Sequence, residues 1–473
     1  MKRERQVYLL DPQVLPPETI AVTFAKTSRS PGSFREIAAE LTESSSAEFN
    51  EKWVVGYGHS SVAEHAVLHV AVENISRLAV ETLESNRLAS YTEKSTRYQT
   101  WDNDAFYIPE EFQETKIQKL YADTCADLFA VYKTCLDEVT RYLLAGETLP
   151  GETQGQKERR ARLSAIDTCR FLLTASSLAN VGMTINARAL EHAIGKMLSS
   201  PLHEVREAGE EIKAAATEST PTLLKYANEI PYLDSVCREF STLNLPVEEH
   251  GDGWCQLVRR DADALYRMVA AAAYREQIID YAQAFGWAKS LDSDELSRQL
   301  KCLLSTPDSH TIPSRELENA IFTFDLLIDQ GAYFEIKRHR MMTQTPQRLT
   351  ALQGYAIPKL IADAGLLDRF KTAMESARDA YTALEKVNPS PASYIVPNGF
   401  NRRVLLTVNL RSLVHFIRLR SAPNAHFSVR RAAQRMAELV TEQFPPLFGL
   451  LGKNENETSG SVEAACFYTT CER

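Results

Sequence analysis

Two blocks of this chain read as damaged copies of one another, and that internal duplication restricts the possible folds more than any other feature of the sequence. Residues 85–98 (SNRLASYTEKSTRY) and 338–351 (RHRMMTQTPQRLTA) keep opposite ends of one pattern. The first copy retains Arg87, Ser90, Glu93, Ser95, Arg97 and Tyr98, and the second retains Arg338, His339 and Arg340. Residues 181–194 (VGMTINARALEHAI) align with 404–417 (VLLTVNLRSLVHFI), so Thr184, Asn186, Arg188, Leu190 and His192 recur as Thr407, Asn409, Arg411, Leu413 and His415. Segments 69–75 and 322–328 form a further pair, as do 205–212 and 429–436. Blocks repeated in the same order imply a tandem duplication. Arg87 aligns with Arg340 but Asn186 with Asn409, at a smaller offset, so the first copy carries an insertion, placed within 135–165 as an exposed excursion.

At 473 residues the chain exceeds the usual size of one hydrophobic core. The polar, turn-rich stretch 231–253 marks a boundary, which predicts one domain over 1–235, a second over 250–452 and a mobile polar tail over 453–473. Residues 66–76 and 320–328 read as strands, whereas 112–145, 186–198, 205–217, 360–386, 409–420 and 429–443 carry helical periodicity. The predicted class is α+β, each half a small sheet packed with several long helices. A formal net charge of -9 excludes a general attraction to nucleic acid, so an anionic ligand must be met by a local basic cluster. No apolar run approaches the roughly 20 residues that cross a bilayer, and the N-terminus lacks a secretory signal. The eight cysteines are scattered without a Cys-x-x-Cys pair, as expected of reduced thiols in a cytoplasmic protein.

The chemistry lies in the repeated blocks. Arginine suits bidentate binding of phosphate. Glu93, Ser95 and Arg97 alternate, so an extended segment turns them to one side, where a phosphate and a sugar hydroxyl can be met. An Arg-His-Arg triplet alone is most often solvated surface; its place in a repeat argues for more. Asn186 and Asn409 suit helix capping as well as ligand contact, and His192 and His415 suit satisfied helical histidines. Residues 59–65 (HSSVAEH) match neither zinc-protease spacing, and no metal is expected.

The pattern Arg-His-Arg-x-x-Ser-x-x-Glu-x-Ser-x-Arg-Tyr, preceded by His-x-Ser/Thr-x-x-Glu-His and followed by Thr-x-Asn-x-Arg-x-Leu, resembles that of the flavin-dependent thymidylate synthases. Here it is carried by GHSSVAEH (58–65), EKSTRY (93–98), Arg338-His339-Arg340 and both Asn-x-Arg blocks. The resemblance implies FAD as cofactor and the reductive methylation of deoxyuridine monophosphate (dUMP) with methylenetetrahydrofolate and NADPH. It also implies four-domain assemblies with sites at subunit interfaces, which two tandem chains would rebuild as a homodimer with composite sites. Neither nucleic acid nor membrane is an expected partner.

Carried over residue by residue, the resemblance assigns nucleotide binding to Glu93, Ser95, Arg97, Arg170, Arg338 and Arg420, with Arg338 and Arg420 catalytic. It assigns FAD binding to Ser28, His59, Ser61, Asn186 and His192 in the first half. In the second half the FAD residues are Arg338, His339, Arg340, Asn409 and His415. The losses are complementary: Ser85 and Met197 replace arginines in the first copy, while Pro346, Arg348, Thr350 and Ser393 replace the phosphate set in the second. Two exchanges stand out, Glu335 and His426, both where the family has Gln. They keep open a flavoenzyme for another pyrimidine nucleotide, or a non-catalytic nucleotide-binding paralogue.

Overall fold

The computed structural model describes residues 6–27, 30–57, 59–243, 245, 253–305 and 311–473. Contacts divide the chain into two compact units, and the division does not follow the repeats. Unit 1 is Met1–Lys94, Pro109–Glu111 and Leu178–Val247; unit 2 is Ser95–Ile108, Phe112–Ser177 and Glu248–Arg473.

Unit 1 is built on three antiparallel strands, β1 (Val67–Ser76), β2 (Ala89–Glu93) and β3 (Leu178–Asn186), in the order β1-β3-β2. Every second residue of β3, namely Ala179, Val181, Met183 and Ile185, is buried, as the period of a strand with one face in a core requires. Leu190, Ile194 and Met197 of the helix Ala187–Leu198 join that core, as do Val205 and Ile212 of the helix His203–Thr217. A bulge lies between Val72 and Ile75, where Asn74 takes a φ of 56°, a left-handed conformation that asparagine tolerates.

Unit 2 holds a four-stranded antiparallel sheet of β4 (Cys255–Arg260), β5 (Ile321–Asp329), β6 (Thr343–Pro346) and β8 (Asn401–Asn409), ordered β4-β5-β8-β6. A separate pair joins β7 (Tyr355–Pro358) to β9 (Phe467–Glu472). The sub-order β5-β8-β6 repeats β1-β3-β2; the β2 and β6 registers agree with the aligned repeats, while β5 is shifted by one residue from the pairing of 69–75 with 322–328. Thr184 lies opposite His69 and Ser90, and its repeat counterpart Thr407 lies opposite Thr323 and Thr343. Each central strand ends in the repeated asparagine, whose side chain caps the next helix: Asn186 accepts from Ala189 N and Asn409 from Ser412 N, both at 2.9 Å.

Where the second copy has one long helix the first has a pair, Thr115–Ala145 and Gln154–Cys169, so the insertion expected within 135–165 is largely helical and the turn between the two helices is exposed. The pair lies in unit 2, as does the single helix Leu367–Val387 of the second copy. Residues 453–473, expected as a mobile polar tail, instead contain the helix Ser459–Cys466 and β9. Val462 and Phe467 are buried, which gives this segment an apolar anchor that its composition conceals. Gly354, at a φ of 71°, makes room for it: a Cβ there would lie 2.6 Å from Cys471 Sγ. All eight cysteines are free thiols. Among the described residues, no helix is long and apolar enough to cross a membrane, and no His, Cys, Asp or Glu side chains group as a metal site.

Candidate functional site

β5 ends at Asp329, whose carboxylate accepts from Ala332 N at 2.8 Å and starts the helix Gln330–Ile336. That helix is buried throughout, and it carries Glu335 on its last turn before releasing the chain into Arg338, His339 and Arg340. Gln344 of β6 fixes this release. Its Nε2 donates toward the carbonyls of Ile336 at 3.3 Å and His339 at 3.1 Å, acceptors of the kind a helix end leaves unpaired.

Four of the expected nucleotide-binding arginines gather here, all within unit 2. Glu335, 6% exposed, is their shared counter-ion. Its Oε2 accepts from Arg420 Nη1 at 2.8 Å, its backbone oxygen from Arg420 Nη2 at 3.2 Å, and its Oε1 lies 3.7 Å from Arg170 Nη1. Burial pushes the Glu335 carboxyl up, but the charges of Arg170, Arg338 and Arg420 outweigh it and hold the group at about 2. Arg170, 2% exposed, also donates to Gly331 O at 3.2 Å and Thr96 Oγ1 at 3.4 Å, while its Nε has no hydrogen-bond partner among the described residues. Arg97 grips Asp167 with both prongs, at 2.9 and 2.7 Å, and donates to Asn424 O at 3.2 Å. Burial lowers the Arg97 pKa, yet the hydrogen bond and charge of Asp167 and the charge of Glu335 leave it raised. Arg338 is exposed at the rim.

Two histidines complete the cluster, His339 half-buried and His426 buried, both neutral. Arg420 Nε donates to His339 Nε2 at 3.0 Å, which leaves the proton of that ring on Nδ1. Burial and then the charge of Arg420 drive His339 down to about 3. Its ring meets Phe416 edge-on at 4.9 Å and the exposed His415 at 5.7 Å. His426 bridges two backbone groups: Nδ1 accepts from Ser428 N at 3.2 Å and Nε2 donates to Asp167 O at 3.1 Å. Burial and then Arg170 hold it well below the ordinary histidine range. With both rings neutral, the four guanidinium groups are set around Glu335 and Asp167, with the buried carboxylate of Asp329 beside Arg170.

Sequence reasoning missed Asp167 and Gln344, which position the cluster without occupying motif positions. Asp167 stands three residues before Arg170, a spacing that puts both on one side of a helix. The other expected residues fall elsewhere. Ser95 Oγ accepts from Arg97 N at 3.2 Å, a local turn contact. Glu93 belongs to unit 1, where it pairs with Arg77 at 3.0 Å, both side chains 1% exposed. Also in unit 1, His59, Ser61 and His192 are exposed, Asn186 is engaged as a cap, and the turn Ser60–His65 packs against the helix Ala187–Leu198. Arg340, Asn409 and His415 lie in unit 2. Ser28 falls outside the described residues.

Comparison with known proteins agrees with the duplication. The profile of the family described as thymidylate synthase complementing protein matches residues 12–222 and again 256–446. A UPF0159 protein of Chlamydia muridarum is 30% identical over 436 residues, covering 86% of this chain and 81% of that protein. The UPF0159 protein Ta1429 of Thermoplasma acidophilum is 26% identical over 450 residues, covering 87% and 89%. A flavin-dependent thymidylate synthase of Clostridium tetani is 24% identical over 213 residues, covering 45% of this chain and 82% of that enzyme. Among solved structures, thymidylate synthase ThyX of Helicobacter pylori with FAD and dUMP aligns with a TM-score of 0.32 and 17% identity, covering 45% of this chain and 94% of that one.

Proposed function

The chain belongs to the thymidylate synthase complementing protein family, in tandem form, and from that premise we propose that it is a flavoenzyme that reductively methylates dUMP to dTMP at a site assembled in unit 2. The observation that carries this reading is the meeting of Arg97 and Arg170, from the first repeat, with Arg338 and Arg420, from the second, around one carboxylate. A cluster of four guanidinium groups suits a phosphate monoester, which carries about −1.5 to −2 at neutral pH. Arg97, Arg170 and Ser95 hold that phosphate, and the unpartnered Nε of Arg170 supplies a buried donor for it. Arg420, kept charged beside Glu335 and aimed by its three acceptors, stabilises negative charge developing on the pyrimidine ring. Arg338 joins it at the rim. No protein nucleophile is needed. Glu93 is left to Arg77 in this reading.

The donor set also fits FAD. Arg338, His339, Arg340, Asn409 and His415 in unit 2 would hold it, and the resemblance assigns the same role to Ser28, His59, Ser61, Asn186 and His192 of the first half. His339 is fixed as an Nδ1–H donor, and the capping bond of each asparagine leaves its amide nitrogen free of that role. Bound FAD supplies the hydride, with NADPH as electron source and methylenetetrahydrofolate as one-carbon donor. Two chains form the functional assembly, a homodimer in place of a four-domain tetramer.

The test is direct. Purified protein is yellow with FAD and converts dUMP to dTMP when given NADPH and methylenetetrahydrofolate; colourless protein that takes up no added FAD overturns the flavin reading. Glu335 among the arginines supports a second reading, another pyrimidine nucleotide as substrate. A panel of pyrimidine monophosphates with mass detection of product separates the two.

A further inference from the structure

Glu335 occupies the centre of a site whose surrounding groups are otherwise suited to an anion. It is held by Arg420 at 2.8 Å and faced by Arg170 at 3.7 Å, while Arg338 is exposed at the rim. Asp167 orients Arg97, with bonds of 2.9 and 2.7 Å. Both nearby histidines are engaged as neutral rings, His339 as an acceptor for Arg420 and His426 between Ser428 N and Asp167 O. The cluster therefore gathers four guanidinium groups around one carboxylate buried at its centre.

We propose that Glu335 is a specificity-determining residue, a built-in counter-charge that matches the site to nucleoside monophosphates and discriminates against diphosphates. The inference rests on the nucleotide reading above and deepens it. A monophosphate is met by the guanidinium groups around Glu335. A diphosphate brings roughly one further negative charge, which meets a carboxylate that the protein cannot move without breaking the Arg420 contacts. An arginine cluster lacking that carboxylate would favour the more highly charged ligand. For unit charges ~6 Å apart the repulsion corresponds to roughly threefold in bulk water and roughly a hundredfold in a half-buried setting, so discrimination of roughly tenfold is expected.

The experiment measures binding of dUMP and dUDP to FAD-loaded full-length protein, wild type and Glu335→Gln, across a series of salt concentrations. The glutamine keeps an acceptor for Arg420 and removes the charge. The wild type is expected to bind dUMP roughly tenfold more tightly than dUDP at low salt. That ratio should shrink as salt rises and disappear or invert in Glu335→Gln. Equal or tighter binding of dUDP by the wild type overturns the charge inference and leaves the nucleotide reading standing. So does a preference that Glu335→Gln retains. If the variant does not fold, the salt series on the wild type decides alone, because a ratio independent of salt is steric and overturns the inference. Failure of the wild type to bind either nucleotide overturns the nucleotide reading and this inference with it.

Discussion

Glu93 is the residue where motif and structure diverge most, and replacing it with glutamine decides its role. The motif assigns it to a nucleotide, yet in unit 1 its side chain pairs with Arg77 at 3.0 Å with each partner 1% exposed. Glu93→Gln removes the carboxylate charge and leaves the Arg77 guanidinium in the interior, where it retains a 3.4 Å bond to Lys94 O. Breaking a buried pair by removing one charge costs about 3–5 kcal/mol, and the amide oxygen, still able to accept, places this case near the lower end, about 3 kcal/mol. For a unit of 150–250 residues each kcal/mol corresponds to roughly 2–4 °C, so the transition that includes unit 1 should fall by roughly 6–12 °C. Differential scanning calorimetry measures the shift, and nucleotide titration of the same sample at low temperature should give wild-type affinity. A melting change below about 2 °C together with lost nucleotide binding would refute the reasoning and return Glu93 to the ligand.

Four further outcomes follow from named contacts. Arg420→Lys keeps the charge but cannot serve Glu335 Oε2, Glu335 O and His339 Nε2 together, so the protein should fold normally and bind dUMP at least roughly tenfold more weakly; calorimetric titration checks this. His426 is held neutral while the unfolded chain takes up a proton below its ordinary value of 6.5, so its contribution to stability is lost as pH falls below 6.5; His426→Gln should flatten that slope, by about 2 kcal/mol between pH 6.5 and 5, in urea unfolding at the two pH values. The depressed carboxyl of Glu335 acts in a lower window: its contribution is complete above the ordinary value of 4.5 and is lost as pH falls toward about 2. Removing residues 459–473 exposes the surroundings of Val462 and Phe467 and uncovers β7, which should cost about 3–5 kcal/mol and promote association, read by urea unfolding and light scattering.

Much of this architecture was legible because duplication writes it twice. The segments 66–76 and 320–328 are β1 and β5, and the Asn-x-Arg blocks each supply a central strand's end and the capped helix after it. The convergence of Arg97, Arg170, Arg338 and Arg420 was foreshadowed by complementary losses in the two copies. What could not be read has a physical cause in each case. The helix Gln154–Cys169 buries small or polar side chains such as Ala161, Ala165 and Thr168, so its sequence looks like an exposed polar excursion. The helix Ser459–Cys466 has one buried residue, Val462, and β9 depends on a partner strand, β7, that lies more than a hundred residues earlier in the sequence. Asp167 has no repeat counterpart to mark it. Glu335 reads in sequence as a charge misplaced beside arginines, and only the geometry shows it as their common counter-ion.

The central claim is that one chain supplies both halves of the nucleotide site. Mixing two inactive variants tests it: Arg97→Ala and Arg338→Ala are co-expressed with different tags, the doubly tagged species is isolated, and its dUMP binding is measured beside wild type and each variant alone. A site built within unit 2 of a single chain predicts that each variant binds dUMP poorly and that the mixed species binds no better, because every site still lacks one arginine. Recovery of wild-type affinity at half the sites of the mixed species would contradict it, since only arginines donated across chains can restore an intact pair.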